Sequence, residues 1–175
     1  MLPVDRTQKL LHLTMTAPLN NNKLTTSKLF IITGLLLMAT GMLFGLTGAL
    51  QYLVPGFLKK YLSFEIIRPL HVSSVIFWII FAAMGAVLTY LQEYTGRKIF
   101  YPMLLKIQLA IFTVSVLTIL ISYCFGVFGG REYWEFHPLL ALPIATGWIL
   151  FIINFVRSIG SFKKQPVYVW MWLTG

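Results

Sequence analysis

Long runs of apolar residues, separated by short polar and charged stretches, make up most of the chain after residue 28. Four runs cover residues 29–54, 69–92, 107–129 and 138–156, and none of them contains an Asp, Glu, Lys or Arg. Each has about the 20 residues that a helix needs to cross the hydrocarbon core of a bilayer. The pattern therefore predicts an all-α integral membrane protein with four transmembrane helices.

The two ends of the chain depart from this pattern. Residues 1–28 are polar and mixed, and we expect them to form a cytoplasmic tail. Residues 166–175 (PVYVWMWLTG) are apolar and aromatic, but the run is too short to span a membrane. We predict that it begins a truncated fifth helix, and that the sequence is a fragment of a longer protein.

Composition and charge narrow the class of protein further. Hydrophobic residues make up 58% of the chain and charged residues only 11%, whereas soluble domains contain about 25% charged residues. The net charge of +9 does not indicate a nucleic-acid partner, because the basic residues lie in clusters between apolar runs. Ten of the 14 Lys and Arg residues lie in the tail and in the loops after the second and fourth spans. The positive-inside rule therefore places the N-terminus in the cytoplasm.

Glycines are frequent in the first span. Gly41 and Gly45 form a GxxxG pattern, which allows two helices to approach each other closely. The alternative is that glycine is merely tolerated in a helix surrounded by lipid. The pattern predicts a close helix neighbour for the first span.

His71, near the start of the second span, is the main candidate for chemistry. An ionisable residue inside a span is a functional candidate by default, and imidazole is a common ligand of haem iron. The alternative is a histidine that is simply hydrogen-bonded near the membrane interface. Ala82 and Gly85 lie on the same helix face and leave room for a bulky group or a close helix.

The loop GREYWEFHP, residues 130–138, is the second candidate. Glu132 and Glu135 are two carboxylates that could hold a hard cation such as calcium, and Arg131 could clamp a carboxylate such as a haem propionate. The alternative, which the spacing alone favours, is an aromatic interface belt with a local ion pair.

His137 is interpreted as an interfacial residue before a helix-starting proline. His71 and His137 could also bracket one haem in a short cytochrome-b-like carrier. The single cysteine, Cys124, excludes an intrachain disulfide and a thiolate metal cluster.

Three segments resemble a known family. IIRPLHVSSVIFW, residues 66–78, resembles the start of the second helix in the catalytic subunit of haem–copper oxidases, in the branch of nitric oxide reductases and cbb-type cytochrome oxidases. GREYWEF is similar to the loop after the third helix in that branch, and KKQPVYVW to the start of the fifth helix. The resemblance covers residues 29–175 and implies part of a larger helix bundle in a bacterial inner membrane.

The resemblance also implies roles for single residues. His71 matches an axial ligand of the low-spin haem b, and Arg68 and Arg131 lie on the side where the haem propionates emerge. Either Glu132 or Glu135 matches a residue that helps to hold calcium. The second axial histidine and the ligands of the binuclear centre have no match in this chain, which therefore cannot be catalytic alone.

The leading interpretation is the N-terminal portion of a membrane respiratory oxidoreductase that passes electrons to a binuclear centre. The substrate, oxygen or nitric oxide, and the electron donor, a cytochrome c-type subunit or quinol, stay open at this point. We expect membrane lipid and the remaining helices of the catalytic subunit as partners. The alternative is a small non-catalytic membrane subunit that packs beside a larger respiratory complex through the glycine face of its first span.

Overall fold

A computed structural model describes residues 25–96, 98–131, 133–160 and 165–174. Within these residues the protein is helical, with no β-sheet. The helices are α1 (Thr26–Leu53), α2 (Phe64–Thr95), α3 (Pro102–Cys124), α4 (Ala141–Ile159) and α5 (Val167–Thr174), and a 3₁₀ turn, Pro138–Leu140, leads into α4. Helices α1 to α4, the last together with its 3₁₀ turn, are long and apolar enough to cross a membrane. The predicted all-α architecture with four spans is confirmed.

Several helix bounds differ from the predicted spans. Helix α1 begins at Thr26, so the last residues of the predicted tail are helical, while residues 1–24 of that tail lie outside the described residues. Helix α2 begins at Phe64, so Arg68, which was predicted to lie in a loop, is helical. Pro69 lies inside the second turn of α2, where it removes the backbone hydrogen bond to the carbonyl of Glu65 but does not end the helix.

Helix α3 occupies a different stretch from its predicted span, 107–129. It begins with Pro102 in the first turn, where a missing N–H costs nothing. It ends at Cys124, and Gly126, two residues later, has a φ of +73°, which a right-handed helix cannot contain. Residues 125–129 therefore belong to the connection rather than to the span.

Small residues bring α1 and α2 into close contact. A β-carbon added at Gly34 of α1 would lie 3.0 Å from the backbone nitrogen of Ala82 on α2. A β-carbon added at Gly85 of α2 would lie 2.9 Å from the carbonyl oxygen of Ser27 on α1. The close helix neighbour predicted from the GxxxG pattern is thus confirmed, and it is α2. The interpretation of a small accessory subunit expected this glycine face to pack against a larger complex, whereas in the structure α2 covers the face.

Polar side chains tie the helix ends together. One end of the bundle contains residue 25 before α1, residues 98–101 before α3 and residue 160 after α4, and we term it the Ser27 end. At this end Gln92 Nε2 donates to Ser27 Oγ at 3.2 Å. At the same end the buried Asn154 of α4 makes two hydrogen bonds to the backbone of Tyr101: its Oδ1 accepts from the N–H at 3.0 Å, and its Nδ2 donates to the carbonyl at 3.1 Å. Ser158 Oγ accepts from the N–H of Phe100 at 3.0 Å. The start of α3 is therefore anchored on α4.

The opposite end, which we term the Arg68 end, contains the connections 54–63 and 125–137. Gln51 near the end of α1 organises the first of these, because its Nε2 donates to the carbonyl oxygens of Phe57 at 3.0 Å and Leu62 at 2.7 Å. The outward surface of α1 between the two ends is apolar, and its mostly exposed side chains include Leu36, Met42, Leu43 and Leu46. Such a surface suits a bilayer, and the chain is a multi-pass membrane protein.

Replacing Asn154 by alanine should destabilise the bundle by about 2 kcal/mol, because both backbone groups of Tyr101 lose their partner. The measurement is the loss of helical circular dichroism in mixed micelles as the denaturing detergent fraction increases. Thr146→Ala is the matched control on the same helix, since the Thr146 hydroxyl is exposed and donates only to Leu142 of its own helix. Equal stability of the two variants would contradict the anchoring role of Asn154.

Candidate functional site

His71 lies two turns into α2 at the Arg68 end, half-buried against α1. Its Nδ1 lies 2.7 Å from the carbonyl oxygen of Gly41. A carbonyl oxygen can only accept, so Nδ1 must carry the proton and donate it. In the neutral ring, Nε2 then has a lone pair, and no described residue makes a hydrogen bond to it. The imidazole is therefore in the tautomer that a metal ligand at Nε2 requires.

Gly45, one turn further along α1, forms a cradle for the same ring. A β-carbon at this position would lie 2.8 Å from Cε1 and 2.9 Å from Nδ1 of His71. The imidazole is thus held by a hydrogen bond at Nδ1 and lies against the backbone of α1 at Gly45. A metal-binding histidine is commonly oriented in this way, through a bond from its second nitrogen to a backbone carbonyl, and the arrangement fits an axial haem ligand.

An ion pair joins the helix that carries His71 to the connection 125–137. Arg68, one turn before His71, donates from Nη2 to Glu135 Oε1 at 2.5 Å. The Arg68 side chain is about half exposed, whereas that of Glu135 is 9% exposed. Burying a carboxylate without a cation costs free energy, so the Arg68 guanidinium stabilises the buried carboxylate of Glu135. The spacing in the sequence had favoured an ion pair within the loop. The pair instead joins the loop to α2.

The loop itself folds back through two backbone hydrogen bonds. The N–H of Trp134 donates to the carbonyl of Arg131 at 3.1 Å, and the N–H of Gly129 donates to the carbonyl of Glu135. A side chain at Gly129 would collide with the carbonyl of Phe136. The turn brings Arg131 and Glu135 to one side, while the aromatic rings of the loop pack on α2 and on each other, in the pairs Trp134–Phe136 and Phe77–Phe136.

A cleft of about 640 Å³ lies between this loop and the start of α2. It contains both arginines that the sequence analysis had singled out, and its lining residues are Phe64, Glu65, Arg68, Phe128, Gly130, Arg131 and Glu135. Within the described residues no carboxylate pairs with Arg131. The cleft can therefore receive an anionic group, for which guanidinium is a good partner.

The other predicted site residues have different fates. Glu132 lies outside the described residues, and within those residues no cluster of three or more His, Cys, Asp or Glu could hold a metal ion. Calcium binding by Glu132 or Glu135 stays a prediction. His137 is exposed, and its Nδ1 accepts from the N–H of Leu139 at 3.3 Å, so it caps the 3₁₀ turn that begins at Pro138. Cys124 is exposed at the end of α3.

Sequence reasoning did not assign a role at His71 to Gly41 or Gly45. The only signal was the GxxxG pattern, which predicted a close neighbour without saying which residue it would approach. Sequence reasoning also missed the buried pair of hydroxyl groups of Ser73 on α2 and Tyr123 on α3, whose oxygens are 3.0 Å apart. Neither hydroxyl has a sequence pattern that distinguishes it from other polar residues in spans.

The family described as cytochrome c and quinol oxidase polypeptide I matches residues 25–175. The chain belongs to this family. The resemblance to subunit I of the haem–copper oxidases is thereby confirmed, and members of this oxidase subunit I family generally bind haem. The described helices α1 to α4 are consistent with the helix bundle of an oxidase subunit I.

Individual relatives agree with this assignment to the oxidase subunit I family. The chain is 30% identical to a nitric oxide reductase subunit of Stutzerimonas stutzeri over 155 residues, which is 81% of the chain and 33% of that protein. It is 30% identical to cytochrome c oxidase subunit 1 of Rhodobacter capsulatus over 118 residues, 63% of the chain and 21% of that protein. A cytochrome c oxidase subunit 1 homolog of Agrobacterium tumefaciens is 28% identical over 75% of the chain and 25% of its own length. The chain thus spans at most about a third of these oxidase subunits.

A double-mutant cycle with Arg68→Gln and Glu135→Gln should give a coupling energy of about 1 kcal/mol in stability, since Arg68 is half exposed and partly screened. The coupling should fall as salt concentration increases. Both quantities follow from unfolding in mixed micelles at two ionic strengths. Additive single effects would show that the pair contributes nothing.

Proposed function

We propose that this chain provides His71 as one axial ligand of the low-spin haem b in a membrane respiratory reductase of the nitric oxide reductase or cbb type. The observation that carries the proposal is the hydrogen bond from His71 Nδ1 to the Gly41 carbonyl, which leaves the Nε2 lone pair free for iron. A haem bound there supplies one-electron transfer. The role of the chain is to hold the imidazole, its tautomer and its orientation before the haem binds.

Arg68 and Arg131 are proposed to bind the haem propionates. Both line the cleft at the Arg68 end, and Arg68 lies one turn from His71 on the same helix. Glu135 then acts as the fixed partner of Arg68, since the carboxylate is buried and holds the guanidinium at 2.5 Å. A guanidinium with several N–H donors can bond to both a protein carboxylate and a propionate.

The remaining parts of the enzyme are proposed to come from outside this chain. A second axial ligand, the binuclear centre and a cytochrome c-type subunit or quinol as electron donor would complete the path of electrons. The match to a nitric oxide reductase extends over 81% of the chain, against 63% and 75% for the two cytochrome c oxidase relatives. This difference supports nitric oxide as the first substrate to test, with oxygen as the second.

The orientation in the membrane is also a proposal. Most Lys and Arg residues belong to the tail and to the loops of the Ser27 end, and the positive-inside rule assigns this end to the cytoplasm of a bacterial inner membrane. His71 and the arginine-lined cleft would then face the outer side. Electrons from an external donor would reach the haem from that side.

His71→Ala should abolish the low-spin haem b signal in the reduced-minus-oxidised spectrum of the membrane enzyme that contains this chain. The physical reason is the loss of one of the two nitrogen ligands that keep the iron low-spin. His137→Ala is the matched control, because His137 is exposed and serves only as a cap in the described structure. A His71→Ala enzyme with an unchanged spectrum would remove the ligand assignment.

The calcium prediction has its own test. Glu132→Gln combined with Glu135→Gln should lower the calcium content that survives dialysis against a chelator, because carboxylates are the oxygen ligands calcium prefers. Metal analysis of the purified enzyme measures this content. Glu65→Gln is the control, since Glu65 lines the same cleft but lies on α2. If both proteins retain the same calcium, the loop glutamates do not hold it.

A further inference from the structure

We propose that α1 positions the His71 ligand and raises its electron-donating strength, and that Gly41 and Gly45 do so without any side chain. The inference rests on the proposed role of His71 as a haem ligand and deepens it. It concerns the reduction potential of the haem rather than its binding. Gly41 and Gly45 are positioning residues in this account, because they act on the iron only through the imidazole.

The first contribution is the hydrogen bond at Nδ1. Its length of 2.7 Å is at the short end of the range for N–H···O bonds in proteins. A carbonyl that accepts the Nδ1 proton increases the basicity of Nε2, and a more basic ligand favours ferric over ferrous iron. Because the acceptor is a backbone atom of a packed helix, no substitution at position 41 removes it directly.

The second contribution is the space at Gly45. Any β-carbon there would stand 2.8–2.9 Å from two ring atoms of His71, closer than van der Waals contact permits. The ring would have to rotate or shift, and the Nδ1 bond to Gly41 would lengthen. Gly45 thus keeps the imidazole in the plane and at the distance that the hydrogen bond requires.

Helix packing alone does not explain this arrangement. Gly34, three turns earlier on α1, makes an equally close approach to α2, with a β-carbon position 3.0 Å from Ala82 N and 3.1 Å from Trp78 O. Those contacts are to backbone, and His71 is not among them. Gly34→Ala therefore disturbs the α1–α2 packing without touching the ligand, and it is the matched control for Gly45→Ala.

The experiment is a redox titration of the low-spin haem in the haem-loaded membrane enzyme with each alanine variant. Gly45→Ala should raise the midpoint potential, because a less basic Nε2 favours ferrous iron. At a fixed ambient potential we expect the ratio of reduced to oxidised haem to rise about tenfold, on the scale of the smallest losses of metal affinity that follow the loss of an outer-shell partner. A tenfold change corresponds to about 59 mV for one electron. Electron paramagnetic resonance of the oxidised haem should show a shifted low-field signal, because the imidazole plane turns. Gly34→Ala should change neither quantity.

The outcomes separate the inference from the proposed function. Equal shifts in Gly45→Ala and Gly34→Ala, or no shift in either, would overturn the positioning role. If Gly45→Ala loses its haem, Gly41→Ala replaces it: its β-carbon would meet Ser74 and Val75 side-chain atoms at 3.2 and 3.3 Å, which is a milder displacement. An unchanged potential in that variant would also overturn the inference. A low-spin spectrum that survives His71→Ala would instead overturn the proposed function itself.

Discussion

The arrangement of the candidate site depends on how closely α1 approaches α2. Glycines on one helix and small residues on the other allow backbone to meet backbone, as at Gly34 and Ala82. Inside a bilayer this proximity is stabilised by packing rather than by the exclusion of water, so small residues are needed along the whole contact. A consequence at the Arg68 end is that a carbonyl of α1 reaches the ring of His71. A side chain at Gly45 would displace the ring of His71 and lengthen that bond.

The same end of the bundle combines His71, the proposed haem ligand, with positive charge. The His71 ring is held within the span, whereas Arg68 and Arg131 stand at the cleft where an anionic group can enter. The Arg68–Glu135 pair joins the loop to α2, so the loop and the cleft are attached to the helix that carries His71. Cofactor sites held by packed helices and fixed outer-shell contacts are well oriented, and such orientation is what electron transfer through a ligand requires.

The sequence pattern predicted the large features and missed the small ones, for physical reasons. A helix that crosses a bilayer must be apolar over about 20 residues, so the apolar runs predicted the four spans. The GxxxG pattern of Gly41 and Gly45 predicted the close helix neighbour. Helix ends depend instead on local backbone geometry: α3 stops where Gly126 takes a positive φ, although the apolar run continues past it. The helical position of Arg68 was missed because Pro69 was taken as a helix start.

Sequence reasoning could not predict the polar contacts between residues that are far apart in the chain. Arg68 and Glu135 are far apart in sequence, as are His71 and Gly41, and neither pair has a spacing rule. The resemblance to haem–copper oxidases singled out His71, Arg68, Arg131 and either Glu132 or Glu135 by type and position. It did not predict that the first helix would supply the acceptor for the Nδ1 proton. That contact involves a backbone atom, which no residue identity encodes.

The most direct measurement is a cryo-electron microscopy structure of the haem-loaded membrane enzyme that contains this chain. The account predicts density joining haem iron to Nε2 of His71, with Nδ1 still within hydrogen-bond distance of the Gly41 carbonyl. Propionate density should lie in the cleft beside Arg68 and Arg131. A haem ligated elsewhere, with His71 packed only between α1 and α2, would contradict the central claim.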